Sequence, residues 1–125
     1  MPRTRSATLT DGELRLMRVL WEQGRASVSE VRAALPPSHR PAYNTVLTEL
    51  GILERKGYVR HTKNGRAFVF APVVDRERVR RSAVRRLVSQ LFDGSAGSLA
   101  VSILQHEQVD QTEIAFIRQL LDEEA

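Results

Sequence analysis

The sequence predicts a mainly α-helical chain with one small β-hairpin. Three observations carry that expectation. Apolar residues recur at helical spacing in six segments. Two of the helical segments open with an S/T-x-x-E capping box. Between two strand-like runs stands Asn64-Gly65, the strongest short-range hairpin signal. A length of 125 residues fits one ordinary domain or two very small ones.

Residues 1–8 are polar and basic without periodicity and read as a flexible arm. Thr10 and Glu13 form the first capping box. Leu14, Met17, Val19, Leu20 and Trp21 follow it, and Gly24 supplies a stop, so a helix is expected from Asp11 to Gln23. Ser27 and Glu30 form the second box, opening a short helix near Val28 to Leu35 that Pro36-Pro37 terminates. A third helix is expected from Pro41 to Lys56. Val46, Leu50 and Leu53 form its core stripe, and Arg55-Lys56-Gly57 its C-terminus. Gly51 in its interior costs about 1 kcal/mol relative to alanine.

Two strands are expected, Tyr58 to Lys63 and Arg66 to Ala71. With Asn64-Gly65 as the two-residue turn, Lys63 faces Arg66, His61 faces Phe68 and Val59 faces Phe70. Helical spacing resumes at Asp75, where Val84, Leu87, Val88 and Leu91 make a stripe bounded by Asp93-Gly94-Ser95. A short helix follows near Ser98 to His106. The last helix, capped by Asp110, carries Ile114, Ile117 and Leu121 on one stripe and Phe116 and Leu120 on another.

Composition narrows the function classes. Hydrophobic residues make up 42% and charged residues 27%, a soluble globular profile. No apolar run approaches the ~18 residues a membrane span needs, and the basic N-terminus is not followed by the apolar stretch of a signal peptide. With no cysteine, disulfides, thiolate metal sites and cysteine nucleophiles are excluded, and a cytoplasmic location is expected. No P-loop, G-x-S-x-G or H-E-x-x-H motif occurs, so no enzyme and no cofactor are expected. His39, His61 and His106 lack ligand spacing. His106 beside Glu107 and Asp110 reads as a surface histidine rather than a metal site.

Charge is uneven. Residues 1–72 hold twelve Arg/Lys against six Asp/Glu, whereas residues 73–125 hold seven against nine. A basic half joined to a slightly acidic half suggests a polyanion-binding module plus a second function. Three helices followed by a two-stranded ribbon is the order of a winged helix-turn-helix, expected over residues 1–72, with a three-helix region over 73–125. In such a fold the third helix enters the major groove, and cations of the ribbon meet phosphates. The candidate contacts are Tyr43, Asn44, Thr45 and Thr48 on that helix, Arg40 at its entrance, Arg60 on a strand, and Lys63 and Arg66 at the ribbon tip. Asparagine can pair with adenine, and threonine can meet a thymine methyl or a phosphate. A winged-helix module that binds protein, or DNA without sequence preference, is the alternative reading, and it differs at these same residues.

Tyr43 to Leu50, Leu53 to Val59 and Asn64 to Pro72 together resemble the penicillinase-repressor family of BlaI, MecI and CopY type, as does helix one with Glu13-Leu14 and Val19-Leu20-Trp21. Residues Gly94 to Leu121 resemble that family's dimerisation region more weakly. The resemblance implies a homodimeric repressor on a palindromic operator. It also implies, for β-lactam-responsive members, a membrane sensor peptidase pathway that cuts the dimerisation region. The scissile Asn-Phe pair of those members aligns with Ser102-Ile103 here, and Ile52 stands where they tend to carry arginine. The cysteines of the copper-responsive branch are absent.

Pairing also has a physical rationale. One winged domain grips few base pairs, and two modules on a two-fold axis combine their energies. The last helix carries more apolar surface than so short a segment buries alone. The expected dimer interface comprises Val84, Leu87, Val88, Leu91, Leu99, Ile103, Ile114, Ile117, Leu120 and Leu121. The arginines Arg76, Arg78, Arg80, Arg81, Arg85 and Arg86 allow three readings: phosphate contact below the wing, pairing with Glu113, Asp122, Glu123 or Glu124, and, for most of them, a solvated helix face.

Overall fold

A computed structural model describes residues 9–124, so the arm expected at residues 1–8 lies outside the described residues. The chain divides into two compact units, Met1–Val84 and Arg85–Ala125.

In the first unit, α1 (Asp11–Gln23), α2 (Val28–Ala34) and α3 (Tyr43–Lys56) pack with a three-stranded antiparallel sheet. Both capping boxes form. Thr10 Oγ1 accepts from the Glu13 N–H at 3.1 Å and Ser27 Oγ from the Glu30 N–H at 3.1 Å, with each glutamate reaching back to its cap. The expected stripe of α3 is fully closed off from solvent: Val46, Leu50 and Leu53 are each 0% exposed. They join Leu16, Met17 and Leu20 of α1 and Val28 and Val31 of α2 in one core, closed by Tyr58, Val59, Phe70 and Val74.

Three local features differ from the sequence expectation. First, α3 starts at Tyr43 rather than Pro41, because Pro37–His39 form a 3₁₀ turn and the chain stays extended to Ala42. Second, Ala26–Ser27 form a short strand, β1, pairing Ala26 with Phe70 and Ser27 with Val69. Two residues are too few to show a period-two pattern. Third, the turn between β2 (Val59–Asn64) and β3 (Ala67–Pro72) is centred on Gly65-Arg66. The register pairs Asn64 with Ala67, Lys63 with Phe68, His61 with Phe70 and Val59 with Pro72. Gly65 has φ +64° and Arg66 has no positive φ. That is the pattern of a type II′ turn, which requires glycine only at its first central position. A type I′ turn on Asn64-Gly65 would demand positive φ at both. The partners are therefore two residues off the expected register, an even slip that leaves every side chain on its expected face.

The second unit contains the end of α4 (Arg76–Leu91), α5 (Ala96–His106) and α6 (Gln111–Glu124). Ser95 Oγ accepts from the Ser98 N–H at 3.1 Å, and Asp110 Oδ1 from the Glu113 N–H at 2.8 Å, so both helices are capped. No described residue of α4, α5 or α6 is buried. Of the expected interface residues, Val84, Leu87, Leu91, Ile103, Leu120 and Leu121 are exposed, whereas Val88, Leu99, Ile114 and Ile117 are half-buried. Between α5 and α6 runs an apolar groove of about 750 Å³, lined by Ile103, Leu104, Val109, Phe116 and Ile117 among others. Ser102 and Ile103 lie inside α5, and the Ser102 carbonyl accepts from His106 Nδ1 at 3.0 Å. Among the described residues no single helix is long and apolar enough to cross a membrane.

Candidate nucleic-acid interface

Two arginines hold the connection between α2 and α3. Arg32 Nε donates to the Pro41 carbonyl at 2.6 Å. Arg40 Nη2 donates to the Ala33 and Leu35 carbonyls at 3.0 and 2.7 Å. These carbonyls belong to the C-terminal end of α2, where the helix dipole favours a cation. Arg40, expected only as a DNA contact, thus also anchors α2 against the entrance of α3.

Residues alternate sharply around α3. Val46, Leu50 and Leu53 face the core, while Asn44, Thr45 and Thr48 are exposed and Tyr43 is 45% exposed. Thr45 and Thr48 are one turn apart, and the same stripe continues through half-buried Ile52 to exposed Arg55. Arg55 reads from sequence only as a helix-terminal charge. Its place three residues beyond Ile52 and seven beyond Thr48 is the signal that adds it to this face. Unlike α1 and α2, α3 has no side-chain cap at its N-terminus, where Ala42 is the N-cap. Gly51 does not mark a tight contact, since a Cβ there would meet only Arg55 Nη1, at 4.0 Å.

The far end of α3 is tied to the start of α1. Lys56 Nζ lies 2.8 and 3.0 Å from the two carboxylate oxygens of Glu13, which is only 5% exposed. Burial by itself would raise the Glu13 carboxyl. Hydrogen bonds from Lys56 and from the Thr10 N–H, with the Lys56 charge, outweigh it and hold the group below its ordinary value. The capping glutamate of α1 therefore also fixes the axis of α3. The sequence shows its capping role but not this second one, because its partner is 43 residues away.

Strand alternation sets the hairpin's faces. Val59, His61 and Lys63 share one face with Phe68 and Phe70, and Arg60 lies on the other. The His61 ring meets Phe68 edge-on at 5.3 Å and Phe70, its cross-strand partner, at 5.4 Å. Lys63 Nζ sits 5.9 Å over the Phe68 ring, and Arg66 occupies the turn itself. Arg60, Lys63 and Arg66 are all exposed. Of the arginine run, Arg76 stacks over Trp21 at 5.5 Å, while Trp21 Nε1 donates to the Val74 carbonyl at 2.9 Å. Arg80 makes only a loose, exposed pair with Glu77 at 3.9 Å.

Three helices, an exposed polar face on the third, and a cationic hairpin define a winged-helix protein of the DNA-binding kind. The solved DNA-binding domain of the repressor BlaI superposes with a TM-score of 0.52 at 32% identity, covering 58% of this chain and 89% of that one. A sequence model of the penicillinase repressor family matches residues 9–123, and the chain belongs to that family. It is 28% identical over 115 residues to the penicillinase repressor of Bacillus licheniformis, covering 92% of this chain and 90% of that protein. It is 19% identical over 114 residues to the methicillin resistance regulatory protein MecI of Mammaliicoccus sciuri, covering 91% and 93%. By fold and family it is a winged-helix transcriptional repressor.

Proposed function

We propose that this repressor acts in the cytoplasm as a homodimer on a palindromic operator, each protomer reading one half-site. The observation that carries the reading is the division of α3: a wholly buried apolar stripe backs a wholly exposed polar face at its N-terminal half. Asn44, Thr45 and Thr48 are the proposed base-reading residues, with Tyr43 beside them. Arg60, Lys63, Arg66 and Arg55 are the proposed phosphate contacts, Arg55 supplying the cation that Ile52 lacks. Arg40 joins them through the charge it holds at the α2–α3 connection. Pairing is assigned to the second unit, whose leucine, isoleucine and phenylalanine side chains are left uncovered by one chain.

A membrane sensor peptidase remains part of this proposal as the resemblance supplies it. Cleavage at Ser102-Ile103 requires α5 to unwind locally, since a protease takes its substrate extended and this bond is helical.

The test is mobility shift and footprinting on the chain's own promoter region at two salt concentrations with competitor DNA. A protected two-fold-symmetric site with salt-sensitive binding is expected. Thr45→Ala and Thr48→Ala are expected to reduce preference for that site. Lys63→Ala weakens binding to all sequences and lowers the salt slope by about 1. Unchanged affinity in all three variants contradicts the assigned surface.

A further inference from the structure

The glutamate hydrogen-bonded to the hairpin from the end of α3 has no place in the contacts assigned so far. Glu54 sits half-buried in the last turn of the helix. By helical spacing Glu54 lies on the opposite side of α3 from Thr45 and Thr48, so it takes no part in the reading face and calls for another role. Its oxygens are engaged by a single residue of the hairpin. His61 Nδ1 lies 2.7 Å from Oε1 and 2.9 Å from Oε2, and the His61 backbone N–H donates to Oε2 at 3.2 Å. A carboxylate offers no proton, so Nδ1 is the donor.

We infer that Glu54 is a positioning residue that clamps the wing onto the recognition helix and so sets where Lys63 and Arg66 meet the phosphate backbone. This rests on the proposed DNA contact of the wing. Every residue of β2 after Val59 is exposed, so apolar burial does not fix the strand's course beyond that point. His61 is where α3 takes hold of it. Lys63 is two residues further along on the same face, and Phe68, which packs against His61, also lies under Lys63. Holding His61 therefore holds the platform from which the wing cation projects. With both partners about a third or more exposed, the pair contributes little to stability. Its effect is geometric.

The experiment measures binding of the full chain to a labelled mixed-sequence duplex across a salt series. The proteins are wild type, Glu54→Ala, Glu54→Gln, the double variant Lys63→Ala/Arg66→Ala, and the triple variant. Glu54→Ala is expected to weaken binding roughly fivefold and lower the salt slope by about 1 per chain. Glu54→Gln removes the same charge but keeps an acceptor oxygen, so it is expected to restore part of the loss. In the triple variant the wing substitutions are expected to add much less than they do alone, with thermal stability nearly unchanged. Tighter binding by Glu54→Ala, as simple removal of a negative charge gives, would overturn the clamp. So would wing and Glu54 effects that multiply independently, or a lower melting temperature with an unchanged slope. A double variant with wild-type slope would instead refute the wing contact itself, and the clamp with it.

Discussion

The two units of this chain solve the problem of apolar surface in opposite ways. In the first, α1, α2, α3 and the sheet enclose a core whose central side chains have no solvent exposure. In the second, α5, α6 and the end of α4 hold no fully buried described residue, and Leu91, Phe116 and Leu121 are each 60% exposed or more. Helix formation and core formation are thus separable here. Capping at Ser95 and Asp110 defines where α5 and α6 begin, yet their apolar stripes are covered only in part, at Leu99, Ile114 and Ile117. On the proposed function the contrast has a use: the unit complete in one chain would present the reading helix, and the unit left open in one chain would take a second copy.

Core truncations sharpen this contrast most. Leu50→Ala is expected to destabilise the first unit by about 3 kcal/mol, because the side chain is fully enclosed. The same change at Leu121, 65% exposed, is expected to cost under about 0.5 kcal/mol in the isolated chain. Thermal denaturation of dilute protein compares them, and equal losses would break the distinction.

Glu13→Gln comes next, at about 2 kcal/mol, since it leaves Lys56 facing a neutral group at a largely buried position. Its pH dependence has a definite sign. A carboxyl held below its ordinary value in the folded state contributes stability above the unfolded carboxylate range and loses it as pH falls through the folded value. Stability of the wild type is therefore expected to fall more steeply than that of Glu13→Gln as pH drops through and below the ordinary carboxylate range. Parallel acid-side slopes would remove Glu13 as the link between α1 and α3.

The remaining change within the first unit is a gain. Gly51→Ala is expected to stabilise the first unit by about 0.5–1 kcal/mol, as a Cβ there meets only the far end of Arg55. A loss of stability on calorimetry would mean that α3 is packed more tightly at Gly51 than the open space around it implies.

Much of the first unit was legible in the sequence because its signals are local. Thr10, Ser27 and Gly57 each mark a helix end through residues within four positions, and Val46, Leu50 and Leu53 mark a face by spacing alone. What escaped is non-local. The Glu13–Lys56 pair, the Glu54–His61 contact and the pairing of Ala26 with Phe70 join residues whose proximity no periodicity encodes. The hairpin turn escaped for a different reason. Asn64-Gly65 and Gly65-Arg66 are both acceptable turn pairs, and the choice rests on how β3 pairs with β1 and β2 together. In the candidate site, the exposed face of α3 follows from its buried face, whereas the anchoring role of Arg40 depends on carbonyls that only the fold brings within reach.

The most direct test of the division between a reading unit and a pairing unit is binding stoichiometry and cooperativity. Sedimentation of the full chain with duplexes bearing one or two half-sites, for wild type and Leu120→Asp, supplies both. Two wild-type chains are expected to occupy the two-site duplex cooperatively, while Leu120→Asp binds each half-site independently with its single-site affinity intact. Cooperativity unaffected by Leu120→Asp, or a single wild-type chain saturating the two-site duplex, would contradict it.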